Sequence, residues 1–224
     1  MKVRQVAFII ILILLADQAL KFFIKTNYYM NEEHKIAGNW FRVHFVENKG
    51  MAWGWEFGGN FGKIFLTLFR LFAVVFGFFY IGKIVKEKMH RGFIICVALI
   101  FAGAVGNLID SLFYGLIFTE SLEGTTLVAN AVSPGNGYGG FFHGKVVDML
   151  YFPIFDGHWP QWMPLVGGDR FEFFSPVFNI ADAAISAGVI SILVFQKRFF
   201  QKKKPNGQHV VETNAPVNDS VQIL

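Results

Sequence analysis

Two aspartates in this sequence have the surroundings expected of a pair that shares one proton. Asp148 ends the segment Lys145-Val146-Val147-Asp148, and Asp182 lies near the start of the apolar stretch 175–194, which holds no other charge. A carboxylate in or beside hydrocarbon is costly unless it faces a partner or a wet cavity. Two such carboxyls can activate a water and polarise a peptide carbonyl. The pair predicts aspartic protease chemistry, and the sequence leaves open which acid is the base.

The elements that carry these acids are predicted to be membrane-spanning helices. Of the 224 residues, 54% are hydrophobic and 16% are charged, a balance foreign to a soluble domain of this length. Four apolar runs approach the ~20 residues that a helix needs to cross a bilayer. We predict one integral membrane domain over residues 1–200, mainly α, with four transmembrane helices at about 6–25, 63–85, 92–115 and 176–197. Small residues at 102–106 should let helices pack closely.

The placement of positive charge predicts the orientation. Lys2 and Arg4 precede the first helix without an acid, the segment 83–91 holds four basic residues against one acid, and five more basic residues lie at or beyond the end of the last helix. Because basic residues favour the cytoplasmic side, both termini are predicted to be cytoplasmic. The tail 201–224 is predicted to be disordered. Its basic start is expected to contact anionic membrane lipids rather than nucleic acid.

The two remaining connections, 26–62 and 119–175, then lie on the opposite, external side of the membrane. Phe41-Arg42-Val43-His44-Phe45 alternates apolar and polar residues, which predicts a strand of a small β-sheet within 26–62. The extended second loop, 119–175, includes the glycine-rich stretch 133–140. This stretch lacks the Gly-Lys-Ser/Thr ending of a phosphate-binding loop, so we interpret it as a flexible or lid-like insertion.

Helix geometry brings further ionisable groups to the level of the acids. At ~1.5 Å per residue, Asp17, Asp110 and Asp182 lie ~6–10 Å below the outer boundary of the bilayer, and Arg70 lies at a similar depth. Asp17 and Lys21 have the four-residue spacing of a helical ion pair. Packing residues scattered at random would not share one depth. These groups are therefore predicted to converge at one level in the outer leaflet, together with Asp148.

Five short motifs occur in order along the chain. They are Asp17-Gln18-x-x-Lys21, Asn48-x-Gly50-x-Ala52-Trp53-Gly54, Ala102-Gly103-Ala104-x-Gly106-Asn107-x-x-Asp110, Val146-Val147-Asp148 and Phe178-Asn179-x-Ala181-Asp182. Each motif is weak alone, whereas all five in this order are a specific signal. The set resembles the lipoprotein signal peptidase family, signal peptidase type II, over about residues 5–200 without the insertion.

The resemblance implies an aspartic endopeptidase of the bacterial inner membrane, with four helices and a periplasmic β-sheet cradle. Such enzymes remove signal peptides from diacylglyceryl-modified prolipoproteins, cleaving before the lipidated cysteine at the outer face of the membrane. By resemblance, Asp148 and Asp182 are the catalytic dyad. The other matching positions, which shape or line the site, are Asp17, Lys21, Asn48, Gly50, Asn107, Asp110, Asn179 and Ala181. We expect a monomer that requires no cofactor.

This chain departs from the family pattern at two places. The family usually has an arginine directly after the aspartate that matches Asp110, and Ser111 stands there. Our hypothesis is that Arg70 or Lys145 supplies the missing positive charge. The loop 119–145 is also longer than is usual for the family, which leaves its role open.

Other interpretations of the same residues remain open at this point. Asp182 or Asn179 could simply cap a helix, Asp148 could be a solvated loop acid, and the Asp17–Lys21 pair could be structural or could contact substrate. A small proton-coupled transporter is the alternative function, since buried acids also mark ion relays. A non-catalytic membrane-assembly or lipid-binding protein is a further alternative. The clustering in one leaflet and the absence of internal repeats favour the peptidase over the transporter. The histidines lack a tight ligand spacing, so no metal site is predicted.

Overall fold

The computed structural model describes residues 1–48, 59–153, 155–173 and 176–201. Within these ranges, four helices are long and apolar enough to cross a membrane, which confirms the predicted mainly helical membrane fold. They span Val3–Asn27, Gly62–Lys86, Arg91–Ile117 and Ile180–Phe199. Gly50 and the predicted tail from residue 202 onward lie outside the described residues.

One membrane-spanning helix, the third in the chain, packs against the other three. The bounds of the helices are α1 (Val3–Asn27), α2 (Gly59–Lys86), α3 (Arg91–Ile109), a π-helical turn (Asp110–Tyr114), α4 (Gly115–Ile117) and α5 (Ile180–Phe199). Helix α3 packs against α1, α2 and α5. A Cβ atom on Gly103 would lie 2.2 Å from the backbone oxygen of Ala181, so the contact between α3 and α5 requires a glycine. The close packing predicted for the small residues is confirmed.

A small antiparallel sheet lies at one end of the helices. Its order is β1 (Glu33–Ala37), β2 (Phe41–Asn48), β3 (Val146–Tyr151) and β6 (Val177–Phe178), while β4 (Phe155–His158) and β5 (Arg170–Phe173) form a separate pair. The predicted strand 41–45 belongs to β2. The prediction that the sheet lies within residues 26–62 was too narrow. Strands β3 and β6 of the same sheet come from the second long connection and from its junction with α5.

The last helix begins later than expected. We predicted a start near residue 176, whereas α5 begins at Ile180. The residues before it, Val177 and Phe178, pair with Tyr151 and Leu150 of β3. This pairing uses the extended conformation, so the helix starts only after the strand has ended.

Two buried apolar clusters hold the architecture together. The first, at the end away from the sheet, consists of Val6, Ile81, Ile84, Val85, Phe93, Ile94 and Ala98. The second consists of Ile24, Met30, Phe45, Tyr114, Phe118, Val147 and Met149. It joins the ends of α1 and α4 to β2 and β3. Since a fully buried large apolar side chain contributes about 1.5–3 kcal/mol, this second cluster fixes the sheet firmly on the helices.

The glycine-rich stretch 133–140, predicted to be a flexible or lid-like insertion, packs against the end of the third membrane helix. The backbone N–H groups of Tyr138 and Gly139 donate to the carbonyl oxygens of Phe118 and Gly115, each at 2.9 Å. A Cβ atom on Gly137 would lie 2.1 Å from the Gly115 oxygen, so the glycine permits this close approach. The stretch packs on α4 through backbone hydrogen bonds.

Candidate active site

Asp148 lies on β3 and faces the helices. Antiparallel pairing sets it opposite Val46 of β2, and only 4% of the residue is exposed. Its Oδ1 accepts a hydrogen bond of 2.6 Å from Asn179 Nδ2, and Asn48 also hydrogen-bonds to its side chain. Burial raises the pKa of Asp148 to about 7, and the negative charge of Asp182 adds to the rise. The solvated loop acid considered above is therefore wrong.

Asp182 lies in the first turn of α5. Its backbone N–H donates to Asn179 Oδ1 at 2.8 Å, so Asn179 is the residue that caps the helix. The carboxylate of Asp182 is directed elsewhere, because its Oδ1 accepts from Asn107 Nδ2 at 2.7 Å. The interpretation of Asp182 as the cap is wrong, while the cap at Asn179 is confirmed.

Two carboxamides connect the two aspartates. Asn179 Nδ2, which donates to Asp148, is also 3.2 Å from Asn107 Oδ1. Asn107 in turn donates to Asp182. Acids from a strand and from a helix are thereby joined through buried side chains. Their convergence, predicted from depth along the helices, is what the geometry shows.

Lys21 anchors this arrangement from α1. Its Nζ lies 3.0 Å from Asp17 Oδ2, 2.8 Å from Asp110 Oδ2 and 2.9 Å from Asn107 Oδ1. Three partners match the three N–H donors of an ammonium group, which a charge this deeply buried requires. Asp17 Oδ1 also accepts from the backbone N–H of Ala181 at 2.9 Å. The predicted Asp17–Lys21 ion pair is confirmed, and it ties α1 to the first turn of α5.

Gln18 is a member of this network that our sequence analysis did not single out. Its Nε2 lies 2.9 Å from Asp110 Oδ1 and 3.1 Å from Asp17 Oδ2. Tyr114 donates its hydroxyl to Gln18 Oε1 at 3.2 Å. The available signal was its place beside Asp17, since a second polar residue in an apolar helix also needs buried partners.

The two cations considered for the missing positive charge lie in different surroundings. Arg70 Nη1 donates to Ser111 Oγ at 3.0 Å, and Ser111 Oγ donates to the Asn107 carbonyl oxygen at 2.9 Å. Lys145 instead pairs with Glu47 at 3.2 Å and with Glu120 at 3.3 Å. Arg70 therefore adjoins the acid network, and Lys145 does not.

Glu47 and Lys25 form a second buried cluster that the sequence did not reveal. Lys25 Nζ contacts Glu47 Oε1 and lies 3.0 Å from Ser121 Oγ. Because successive residues of a strand face opposite sides, Glu47 points away from its neighbour Asn48 and so from Asp148. This cluster joins α1, β2 and the long connection on the side remote from the acids.

In the described residues, four apolar helices define a multi-pass membrane protein, and an amide-linked pair of carboxyls, Asp148 buried and Asp182 half-buried, lies at the sheet end. A family model described as signal peptidase (SPase) II matches residues 9–198. The chain therefore belongs to the signal peptidase II family, an aspartic peptidase family.

Individual relatives agree with this assignment. The chain is 46% identical over 196 residues to a lipoprotein signal peptidase of Porphyromonas gingivalis, covering 87% of this chain and 84% of the relative. It is 36% identical over 193 residues to one of Amoebophilus asiaticus, covering 85% and 76%. A solved bacterial membrane enzyme superposes with a TM-score of 0.56 at 23% identity, covering 92% of this chain and 96% of that one. No relative named here is a transporter.

Proposed function

We propose that this protein removes signal peptides from diacylglyceryl-modified prolipoproteins, with Asp148 and Asp182 as the catalytic pair. Its family membership supports the activity. The observation that supports the pair is the chain of hydrogen bonds through Asn179 and Asn107, which brings the two carboxyls under the influence of one another's charge.

We assign the proton of the pair to Asp148. A carboxyl whose pKa is raised to about 7 keeps its proton under conditions where an ordinary aspartate is ionised. Protonated Asp148 gives its proton to the scissile carbonyl oxygen, while Asp182 acts as the base and takes a proton from the attacking water. When the C–N bond of the tetrahedral intermediate breaks, the proton on Asp182 passes to the leaving amine, and Asp148 takes back a proton from one of the two hydroxyls of the intermediate as the carboxyl product forms. Two acids thus suffice without a covalent intermediate.

The residues behind the pair position it rather than bind substrate. Asn107 and Asn179 are both buried, and their amide groups already bond to the acids and to Lys21. Asp17 and Asp110 neutralise Lys21. Of the site-shaping residues described in the structure, Asn48 at the end of β2 is the one we assign to the substrate side.

The substrate reaches this site from the membrane, and its lipid stays in the bilayer. We place the protein in the bacterial inner membrane as a monomer, with both termini cytoplasmic and the sheet outside. Lys2, Arg4 and Arg91 lie at the helix ends remote from the sheet, which supports this orientation under the positive-inside rule. Cleavage then occurs before the lipidated cysteine at the outer face.

The test is cleavage of a diacylglyceryl-modified precursor peptide by the purified protein. Asp148→Asn and Asp182→Asn should each lower kcat by roughly 10³-fold or more, because each removes a proton-transfer group that the other cannot replace. Glu87→Gln, an exposed change at the remote end, is the matched control and should leave the rate unchanged. Substantial cleavage by either folded Asp→Asn variant would refute the proposed pair.

A further inference from the structure

Arg70 is the unexplained charge of the membrane region. It lies within α2, in the stretch Gly62–Lys86 that is long and apolar enough to span a membrane. Large apolar side chains of the same helix, such as Phe69 and Phe72, are exposed around it. A guanidinium group at such a position is costly unless it faces a partner or a site, so it marks a functional candidate.

Within the described part of the chain, Arg70 makes a single hydrogen bond. Nη1 donates to Ser111 Oγ, and no carboxylate oxygen there lies within 4.0 Å of the guanidinium nitrogens. A guanidinium group carries five N–H donors. Ser111 is itself fixed by its bond to the Asn107 carbonyl oxygen. The bond to Ser111 therefore fixes the orientation of the Arg70 side chain, and most of its N–H groups remain available to bind another group.

The charge of Arg70 nevertheless acts on the acids of the site. Among the charged groups that act on the guanidinium of Arg70, Asp182 has the largest effect, followed by Asp110 and Asp148. Asp110 is already paired with Lys21. In the described residues, Asp148 and Asp182 form no ion pair. Arg70 thus lies near the catalytic pair, separated from either carboxylate by a gap of more than 4.0 Å.

A group that enters this gap must accept hydrogen bonds from Arg70 and tolerate two neighbouring acids. A phosphate or carboxylate would be repelled by the acid pair, whereas a neutral peptide carbonyl would not. We propose that Arg70 is a substrate-binding residue, whose free guanidinium N–H groups bind a backbone carbonyl oxygen of the extended substrate beside the scissile bond, with Ser111 fixing its direction. This inference rests on the proposed function.

The test compares kcat and KM for the precursor peptide between the wild-type protein and variants. Arg70→Gln should raise KM about 10- to 100-fold with little change in kcat, because binding made equally in the ground and transition states appears in KM. Arg70→Lys should recover only part of the loss, since an ammonium lacks the planar donor fork. Lys83→Gln, on the same helix but exposed, is the control and should behave as wild type.

An exchange of the two contacting residues gives the sharpest result. Because Arg70 and Ser111 touch, the double variant Arg70→Ser with Ser111→Arg returns a guanidinium to the same space from α3's continuation. It should restore KM to within about 3-fold of wild type. Ser111→Ala, which only loosens Arg70, should raise KM by a smaller factor than Arg70→Gln.

Binding without turnover separates this inference from the proposed catalysis. Peptide affinity is measured on the Asp182→Asn protein with and without Arg70→Gln. An unchanged Kd, or an unchanged KM in the active background, overturns the role of Arg70 while leaving the catalytic pair intact. If the wild-type protein does not cleave the peptide, or if either Asp→Asn variant does, the proposed function fails instead. Thermal unfolding of each variant shows whether a loss is structural.

Discussion

The side chain of Asn179 has two roles: it caps the start of α5 and it holds the acid pair. Its Oδ1 caps the helix by accepting from the Asp182 N–H at 2.8 Å. Its Nδ2 donates to Asp148 at 2.6 Å and contacts Asn107 at 3.2 Å. The change Asn179→Asp keeps the capping oxygen and replaces the donor with a second oxygen, so it tests the two roles separately.

The expected loss follows from the bond to Asp148. A hydrogen bond to a neutral carboxyl contributes about 0.5–1.5 kcal/mol, which corresponds to roughly 2- to 12-fold in rate if the bond orients the acid during the reaction. Asn179→Asp should lose at least this much activity near neutral pH and little helix stability. Asn179→Ala should lose the cap as well, costing a further ~1 kcal/mol in the free energy of unfolding.

The pH dependence of the two variants distinguishes the mechanism. A protonated carboxyl in the Asn179→Asp variant can donate to Asp148 again, so its activity relative to wild type should recover as the pH falls towards 5. The Asn179→Ala variant has no donor at any pH and should show no recovery. Initial rates on the precursor peptide from pH 5 to 8, with thermal unfolding in detergent, provide the measurement. Full activity of both variants at pH 7 would refute the positioning role.

Further predictions concern stability, measured by thermal unfolding in detergent. Asp148→Asn should stabilise the protein most above pH 7 and hardly below pH 4. The Asp148 carboxyl keeps its proton to about pH 7 in the folded protein, whereas it ionises near pH 3.8 in the unfolded chain. The stability of the wild-type protein therefore falls as the pH rises between these two values. Equal gains at pH 4 and pH 8 would contradict this. Gly106→Ala should cost about 1–3 kcal/mol, because its Cβ would lie 2.8 Å from Asp17 Oδ2, whereas Gly82→Ala meets no atom within 4 Å and should be neutral or stabilising; equal effects would argue against the close contact. Glu47→Gln should destabilise by about 3–5 kcal/mol, since it leaves a buried lysine unpaired, and the rate per folded molecule should stay near that of wild type; a large fall in that rate would link the cluster to catalysis.

Local pattern was sufficient to predict the helices and the level of their charged residues. The length of each apolar run determines the length of its helix. The fixed rise per residue then places Asp17, Asp110 and Asp182 near one depth in the membrane. The ion pair between Asp17 and Lys21 follows from a spacing of four residues. These features depend only on neighbours in the sequence, which explains why they could be predicted.

The remaining features depend on contacts between distant segments. Asp148 acquires its place by pairing across about one hundred residues with Val46, and a six-residue apolar segment does not by itself reveal its partner strand. The start of α5 shifted for the same reason, because the pairing of Val177 and Phe178 with β3 decides where it begins. Likewise, the choice between Arg70 and Lys145 became possible only when Ser111 and Glu47 were seen beside them.

The two acids of the pair lie on different elements, a strand and a helix, and this has a consequence for inhibition. Asp148 belongs to the sheet and Asp182 to a helix, so the distance between their carboxyls depends on how the sheet is seated. A displacement of ~1 Å in a reacting group can cost on the order of 100-fold in rate. A water-soluble binder that tilts β2 or β3 would thus silence the enzyme by moving the sheet alone, without competing with the substrate for the acid pair.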